Sequence, residues 1–465
     1  MSTNINQPAI KIQDGAGTLW WRAVATCVRK AMGLVCIFCA AVGVSAEPGM
    51  LKVGIGRADI TPDMQQPVWL AGYAARSAPA TGTLHRIWAK ALAFEENPGQ
   101  CAVLVTVDVI GLTREITDVV AETVHKRHGV LRAHLVFNAS HTHSGPVIWP
   151  TLSVCDAFSP QERQQTIRQN REMTERIIAA VDMAMATRAP ARLATGRGTA
   201  GFAINRRKRE VAPVDHTVPV LRVCALDGAV RAVVFNYACH CTTLTANNLM
   251  VNGDYAGFAM LELESTWPGA TAFFIQGCAA DQNPEPRHTE ACARQHGQAL
   301  AAAVRDVMNR PMQDVTGPLN MRLVETRLAF APVPLVRMRE EALDTNRFKQ
   351  KRAQLMLEAY CRGAPVTSMP YTVQALRFGS ALTFLFLNGE VVIDYTLRAR
   401  REFPDDNLVV AGYCNDVQAY IPSLRVLKEG GYEANDSMIY YGQPGPFTDD
   451  VEETVFRAIR DVLTR

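Results

Sequence analysis

Histidine, acidic and phenolic side chains in this 465-residue sequence follow short apolar runs, one run after another. His141 and His143 come after the run LVFN, and His240 comes after VVFN. A carboxylate, Glu390, follows FLFL, and a phenol, Tyr420, follows LVVAGY. Imidazole and carboxylate groups are usual zinc ligands, and zinc with an open coordination position generates hydroxide at neutral pH and polarises a carbonyl group. These residue types therefore favour metal-assisted hydrolysis, although wide spacing in the sequence leaves a purely structural role for the histidines open.

The elements that must position these side chains alternate along the chain. Apolar runs of the kind buried on both faces of a sheet occur at 103–110, 135–138, 232–236, 272–275, 382–387 and 408–411. Helical patterns intervene at 113–127, 160–188, 290–308, 339–362, 391–402 and 449–463. This alternation predicts an α/β fold, with a layered mixed sheet flanked by helices and the site at the carboxyl ends of the strands.

The first 46 residues are expected to be a secretory signal. Arg29 and Lys30 precede an apolar stretch over 31–44, which ends in small residues before Glu47. An uncleaved membrane anchor is the alternative, because a polar segment of about 30 residues precedes Ala31, but the stretch is shorter than the ~20 residues of a spanning helix. We therefore expect export, secreted or periplasmic, and a single catalytic domain over 47–465.

Charge and cysteine content exclude two other classes of protein. The chain has 48 Lys and Arg against 45 Asp and Glu, and the leader contains the whole excess. Without a basic surface, nucleic acid is not an expected partner. The cysteines after the leader are scattered and include no CxxC pair, so neither a disulfide framework nor a structural zinc knuckle is predicted.

Several segments follow one another in the order found in the neutral/alkaline non-lysosomal ceramidases. They are VGIGRADITP with GYAAR, GTLHRIWAKALAF, ASHTHSGP, AINRRKR, VVFNYACHCTTL, FIQGCAADQNP, the NGE turn and AGYCNDVQAYIPS. The sequence resembles the N-terminal catalytic domain of this family, and ASHTHSGP is its most specific segment. The resemblance implies a zinc-dependent amidohydrolase that cleaves ceramide into a sphingoid base and a fatty acid. It also implies a lipid or small-molecule N-acyl substrate and peripheral contact with a membrane.

Carried over residue by residue, the resemblance implies that His141, His240, Glu390 and Tyr420 bind Zn²⁺. It implies a proton-transfer role for His143, with a hydrogen-bonded supporting role as the alternative. Arg206, in AINRRKR, resembles a family arginine that could stabilise negative charge on a carbonyl oxygen, with a solvated basic loop as the alternative.

Two departures from the family change these expectations. Asn283 stands where the ceramidases have a serine in NAGDVSPN, and an amide cannot form an acyl-enzyme but can donate a hydrogen bond to an oxyanion. Direct attack by zinc-bound hydroxide is therefore the predicted mechanism, with Asn283 or Arg206 at the oxyanion. Asp281 is predicted to be a turn residue, with a role in orienting a neighbouring site residue as the alternative. The family also continues into an immunoglobulin-like module, which we expect to be lacking in a sequence that stops at Arg465.

Two further functions stay open. One is a zinc esterase or amidase that acts on another acylated small molecule or glycan. The other is a non-catalytic protein that binds a metal or ligand and has lost the family serine. Apolar residues after HTHSGP, namely Ile148, Trp149 and Leu152, either line an entrance or pack inside.

Overall fold

The computed structural model describes residues 50–155, 158–207 and 211–464, so the predicted leader lies outside the described residues. Its strands are β1 Leu51–Asp59, β2 Gly82–Thr83, β3 Trp88–Glu95, β4 Cys101–Val107, β5 Leu135–Ala139, β6 Ala189–Thr199, β7 Ala203–Asn205, β8 Thr217–Cys224, β9 Val230–Tyr237, β10 Met250–Val251, β11 Thr271–Gln276, β12 Gln282–Pro284, β13 Gln313–Val315, β14 Leu319–Ala329, β15 Ser368–Phe378, β16 Leu382–Asn388, β17 Glu390–Val391, β18 Leu408–Cys414 and β19 Tyr420–Ile421.

The α-helices are α1 Arg114–His128, α2 Pro160–Ala186, α3 Asp254–Thr266, α4 Glu290–Met308, α5 Leu335–Glu341, α6 Arg347–Cys361, α7 Asp394–Glu402, α8 Leu424–Glu429 and α9 Val451–Leu463. None of these helices combines the length and the apolar character needed to cross a membrane, within the part of the chain that the structure describes.

A 13-stranded mixed sheet organises the fold. Its strands run in the order β11-β9-β8-β6-β1-β3-β4-β5-β18-β16-β15-β14, and β13 pairs with β6. Parallel pairs join β4 to β5, β9 to β11 and β16 to β18, whereas most other neighbours are antiparallel. The predicted α/β class with a mixed sheet and flanking helices is therefore confirmed.

Alternate side chains of the buried strands enter different cores, as the two-residue period of a strand requires. In β4, Val103 and Val105 pack in a cluster with Val120 of α1 and Ile177 of α2. Leu104, between them, belongs to a cluster made largely of strand residues from distant parts of the sheet. The sheet therefore has helices on one face and another part of itself on the opposite face.

The buried side chain of Asn138 forms hydrogen bonds between the ends of the strands that precede the site. The Asn138 side-chain amide, at the end of β5, donates to the Gly412 carbonyl of β18 at 2.8 Å and accepts from the Gln276 amide of β11 at 2.9 Å. Gly277 and Ala411 form a further bridge between these two segments. The turns that follow β5, β11 and β18 are thus brought to one place.

The six predicted strands are all present. The prediction of one continuous helix over 339–362 is wrong. The structure has two helices there, α5 and α6, because the Asp344 carboxylate accepts from the Asn346 amide and the Asn346 side chain caps α6. Asp and Asn bind nearby backbone groups in this way and compete with a continuous helix. Helix α3 was not predicted, because its first seven residues are all buried and so form no single apolar stripe.

Candidate active site

The side chains predicted to bind a metal lie in turns at the ends of buried strands. His141 follows β5 and has a positive φ of 58°, and His240 follows β9. Glu390 begins β17 directly after Gly389, whose φ of 77° favours glycine. Tyr420 begins β19 and is the register partner of Glu390 in the parallel β17–β19 pair. All four side chains are buried.

Main-chain carbonyls fix the two imidazole rings. The Nδ1 atom of His141 lies 2.5 Å from the Ile110 carbonyl oxygen, and that of His240 lies 2.6 Å from the Ala279 carbonyl oxygen. Because a carbonyl oxygen only accepts hydrogen bonds, each Nδ1 must carry the proton. In the neutral ring the Nε2 atom then presents a lone pair, which is the arrangement found in metal-binding histidines.

These lone pairs converge on one carboxylate oxygen. The Nε2 atoms of His141 and His240 lie 3.1 and 3.2 Å from Oε2 of Glu390. The other oxygen, Oε1, accepts a hydrogen bond from the Tyr441 hydroxyl at 2.5 Å. Three acceptor atoms that face one another without a proton between them suit a cation. The donor set of this structure therefore fits a metal ion.

The pKa shifts favour the protonation states that metal ligands need. Burial, reinforced by the charge of Arg206, lowers the pKa of His240 to about 4. Burial alone would raise the pKa of Glu390, but the neighbouring His141 and His240 hold it well below its ordinary value. At neutral pH His240 is therefore uncharged, as a histidine that binds a divalent cation must be.

His143 completes a group of three histidines whose ligand atoms all lie within 4.8 Å of one another. Its Nε2 atom is 3.1 Å from that of His141, and its Nδ1 atom is buried without a hydrogen-bond partner among the described residues. Gly72 lies against this ring, since a Cβ atom there would come within 2.3 Å of the His143 Nδ1. Tyr73 packs on the ring with its centroid 4.9 Å away.

Arg206 forms a hydrogen bond and an ion pair within the site and is not part of a solvated loop. Its Nη2 atom donates to the Tyr420 hydroxyl at 3.3 Å, and its Nε atom pairs with the Glu433 carboxylate at 2.7 Å. The guanidinium also lies over the rings of Tyr420 and Tyr432. The Tyr420 hydroxyl in turn lies 3.4 Å from Nε2 of His240, so Arg206 is linked to the histidines through one side chain.

Asn283 is not joined to this network by a described hydrogen bond. It lies in β12 opposite Ile204 of β7, and its Oδ1 accepts from the Thr242 hydroxyl at a long 3.5 Å. Asp281 lies in a turn, as predicted, but its carboxylate also bonds the Ile393 amide and the Asn205 side chain across the fold. Six of the seven predicted site residues therefore lie together, and Asn283 lies to one side.

Three supporting residues are not predicted by the sequence motifs. Tyr441 bonds Glu390, Glu433 pairs with Arg206, and the ring of Tyr413 packs 4.3 Å from that of His141. Tyr413 could have been predicted from the sequence, since it lies in the segment AGYCND at a strand end. Tyr441 and Glu433 follow no apolar run, and only a search for polar residues after β19 would have found them.

A cavity of about 580 Å³ opens over the histidines. His141, His143, Glu390 and Tyr420 line it. The wall also includes Arg76 and Arg347. Its larger apolar and phenolic side chains are those of Trp69, Leu70, Val147, Leu152, Phe158, Tyr73, Tyr432, Tyr440 and Tyr441. Of the three apolar residues predicted after HTHSGP, only Leu152 lines the cavity, whereas Ile148 is in the core and Trp149 packs against Arg163.

Comparison with known proteins gives the same family as the motifs. A family model described as neutral/alkaline non-lysosomal ceramidase, N-terminal, matches residues 51–277. Neutral ceramidase B of Dictyostelium discoideum is 26% identical over 267 residues, which are 52% of this chain and 37% of that protein. Neutral ceramidase of Pseudomonas aeruginosa is 25% identical over 311 residues, or 60% of this chain and 46% of that protein. The matched region thus spans less than half the length of either relative.

The fold similarity extends further along the chain than the family model does. The crystal structure of neutral ceramidase from Pseudomonas aeruginosa superposes with a TM-score of 0.69 at 19% identity, and covers 89% of this chain and 74% of that chain. A structure described as ceramidase complexed with C2 also gives a TM-score of 0.69, at 20% identity. The resemblance predicted from the motifs is therefore confirmed: residues 51–277 match the N-terminal region of the neutral/alkaline ceramidase family, and the fold is that of a neutral ceramidase.

Proposed function

We propose that this protein is an exported, zinc-dependent hydrolase that cleaves an N-acyl amide bond, in the manner of a ceramidase acting on ceramide. One observation carries the proposal: two imidazole Nε2 atoms, each with Nδ1 held by a carbonyl, meet at one oxygen of Glu390. The similarity to neutral ceramidases supports the choice of an amide as the bond that is cleaved.

His141, His240, Glu390 and Tyr420 would hold the ion. Zinc bound with an open coordination position lowers the pKa of a water molecule and polarises a substrate carbonyl. The cavity above these residues, with its apolar wall, gives an acyl chain access to them. Tyr441 keeps the Glu390 carboxylate oriented through its second oxygen.

His143 is the residue that we assign to proton transfer. In amide hydrolysis the oxygen of water joins the acyl carbon, the carbon–nitrogen bond breaks and the leaving nitrogen gains a proton. The ring of His143 faces the cavity, and its Nδ1 has no other partner among the described residues. Burial and the neighbouring histidines lower its pKa well below the ordinary value, so the ring accepts a proton only transiently.

Arg206 is the better placed of the two oxyanion candidates. Its guanidinium reaches the Tyr420 hydroxyl and is held in place by Glu433, so it can donate to a carbonyl oxygen that gains negative charge. Neither side chain is among the described lining of the cavity, but the Asn283 Oδ1 atom is turned to Thr242 and no described hydrogen bond links Asn283 to the proposed zinc ligands, so we assign Asn283 a smaller contribution.

The experiment that tests the proposal combines metal analysis with a substrate panel. The purified full chain is loaded with zinc, freed of excess metal and assayed with C12-ceramide, N-dodecanoyl amides and dodecanoyl esters. We expect about one zinc per chain and hydrolysis of amides. Cleavage of esters alone would establish the esterase, and bound zinc without any hydrolysis would establish the binding protein.

A further inference from the structure

The cavity is lined by two arginines that have no carboxylate partner within the described residues. Arg76 donates to three main-chain carbonyls, those of Ala71 at 2.6 Å, His143 at 3.1 Å and Asn248 at 3.3 Å. Arg347, the first residue of α6, is exposed at the rim and packs against the ring of Phe348. Neither guanidinium forms an ion pair in the part of the chain described.

Other cations of the molecule do have an anionic partner. Lys90 pairs with Glu264 at 2.8 Å, and Arg400 pairs with Asp215 at 2.8 Å. Arg76 is stabilised instead by its three carbonyl acceptors and by the ring of Tyr73, whose centroid is 5.2 Å away, and Arg347 is exposed to water, so both add positive charge to the lining. Burial lowers the pKa of Arg76 only to about 10, so its guanidinium stays charged at neutral pH.

Among the described residues, acidic side chains do not balance these charges inside the cavity. Glu390 is the acidic residue among those that line it, and His141, His240 and Tyr441 already occupy its oxygens. The described lining therefore has two guanidinium groups and one carboxylate, and that carboxylate is committed to the histidines. A substrate with a neutral head group would leave both arginines without an anionic partner.

We propose that the substrate of this site is an N-acyl amide with a negatively charged group on its amine portion, the simplest case being an N-acyl amino acid. The inference rests on the proposed function and specifies its substrate class. The guanidinium of Arg347 presents a planar set of donors that matches a carboxylate, while Arg76 adds positive charge next to His143. The acyl chain lies along Trp69, Leu152 and Phe158. Hydrolysis then adds water across the amide and releases a fatty acid and the free amino acid.

The test compares two amides of equal chain length on the zinc-loaded full chain, N-dodecanoylglycine and the neutral N-dodecanoylethanolamine. We expect kcat/KM to be at least about tenfold higher for the acylglycine, since one charge-assisted contact is worth about a factor of ten. Arg347→Gln should reduce this ratio about tenfold, mainly through KM, and Arg347→Lys should restore part of it. Arg362→Gln, at the opposite end of α6, is the matched control and should leave the ratio unchanged.

Two further measurements separate the sources of the effect. N-dodecanoyltaurine replaces the carboxylate by a sulfonate and shows whether any anion or a carboxylate in particular is preferred. Titration calorimetry of the chelator-treated full chain with N-dodecanoylglycine measures binding without hydrolysis, and we expect Arg347→Gln to weaken it.

The outcomes distinguish this inference from the proposed function. If the ethanolamide or ceramide is cleaved as efficiently as the acylglycine, and Arg347→Gln leaves the ratio unchanged, the substrate class is wrong while the hydrolase stands. If no amide is cleaved, the proposed function fails, and calorimetry still decides whether the cavity selects an anion.

Discussion

The cavity has a floor, formed by the proposed zinc ligands, and a rim, which includes Arg347 and Tyr440. These two regions are held in place in different ways. At the floor, His141 and His240 are fixed by main-chain carbonyls in turns that directly follow buried strands. At the rim, Arg347 and Tyr440 belong to segments outside the main sheet, and side chains contact mainly other side chains. The difference indicates that the fold dictates the chemistry at the floor, whereas the rim can vary with the substrate.

The largest effect is expected from removing an imidazole at the floor. His240→Ala deletes one of the three converging acceptors, so zinc content and amide hydrolysis should fall together, the rate by about 10³-fold or more. Elemental analysis and kcat measure the two. His134→Gln, a histidine outside the cavity lining, should change neither, and retention of both metal and activity in His240→Ala would contradict the ligand assignment.

Arg206→Gln should separate charge stabilisation from metal binding. The variant keeps a hydrogen-bond donor but loses the charge next to Tyr420, so we expect kcat to fall about 10²-fold with zinc content unchanged. Asn283→Ala should have a smaller effect, because Asn283 bonds Thr242 and has no described hydrogen bond to the proposed zinc ligands. A larger loss in Asn283→Ala than in Arg206→Gln would show that the oxyanion assignment is reversed.

Gly72→Ala tests the position of His143. The new methyl group would lie within 2.3 Å of the imidazole at a φ of 97°, and we expect about a tenfold lower kcat and a stability cost of about 1–3 kcal/mol. Gly99→Ala is the matched control, since Gly99 has a φ of 89° but no neighbour within 4 Å. Both variants should lower Tm, and only Gly72→Ala should lower kcat. Equal kcat in the two would mean that His143 does not take part.

The smallest effect is expected along the apolar wall. Leu152→Ala removes part of the surface against which an acyl chain packs, so KM for dodecanoyl amides should rise about three- to tenfold, with little change for acetyl amides. Trp149→Phe should leave both values unchanged, because Trp149 packs against Arg163 outside the cavity. A KM that is independent of chain length in Leu152→Ala would place the acyl chain elsewhere.

The sequence predicts the floor better than the rim for a physical reason. Residues such as His141 and His240 follow apolar runs long enough to be recognised as buried strands, and strand ends locate a site. Arg76 and Arg347 follow no such run, and their lack of carboxylate partners within the described ranges depends on packing between distant segments. The break between α5 and α6 was not predicted either. It depends on the Asn346 side chain, which caps α6, and the apolar pattern of the sequence does not show this cap.

The most direct test of the account is X-ray absorption spectroscopy at the zinc edge of the zinc-loaded full chain. The proposed ligand set predicts a shell of nitrogen and oxygen ligands at about 2.0–2.2 Å, with two imidazole rings and no sulfur. Sulfur in the shell, which would implicate the buried Cys239 or Cys241, or the failure of the protein to retain zinc, would contradict it.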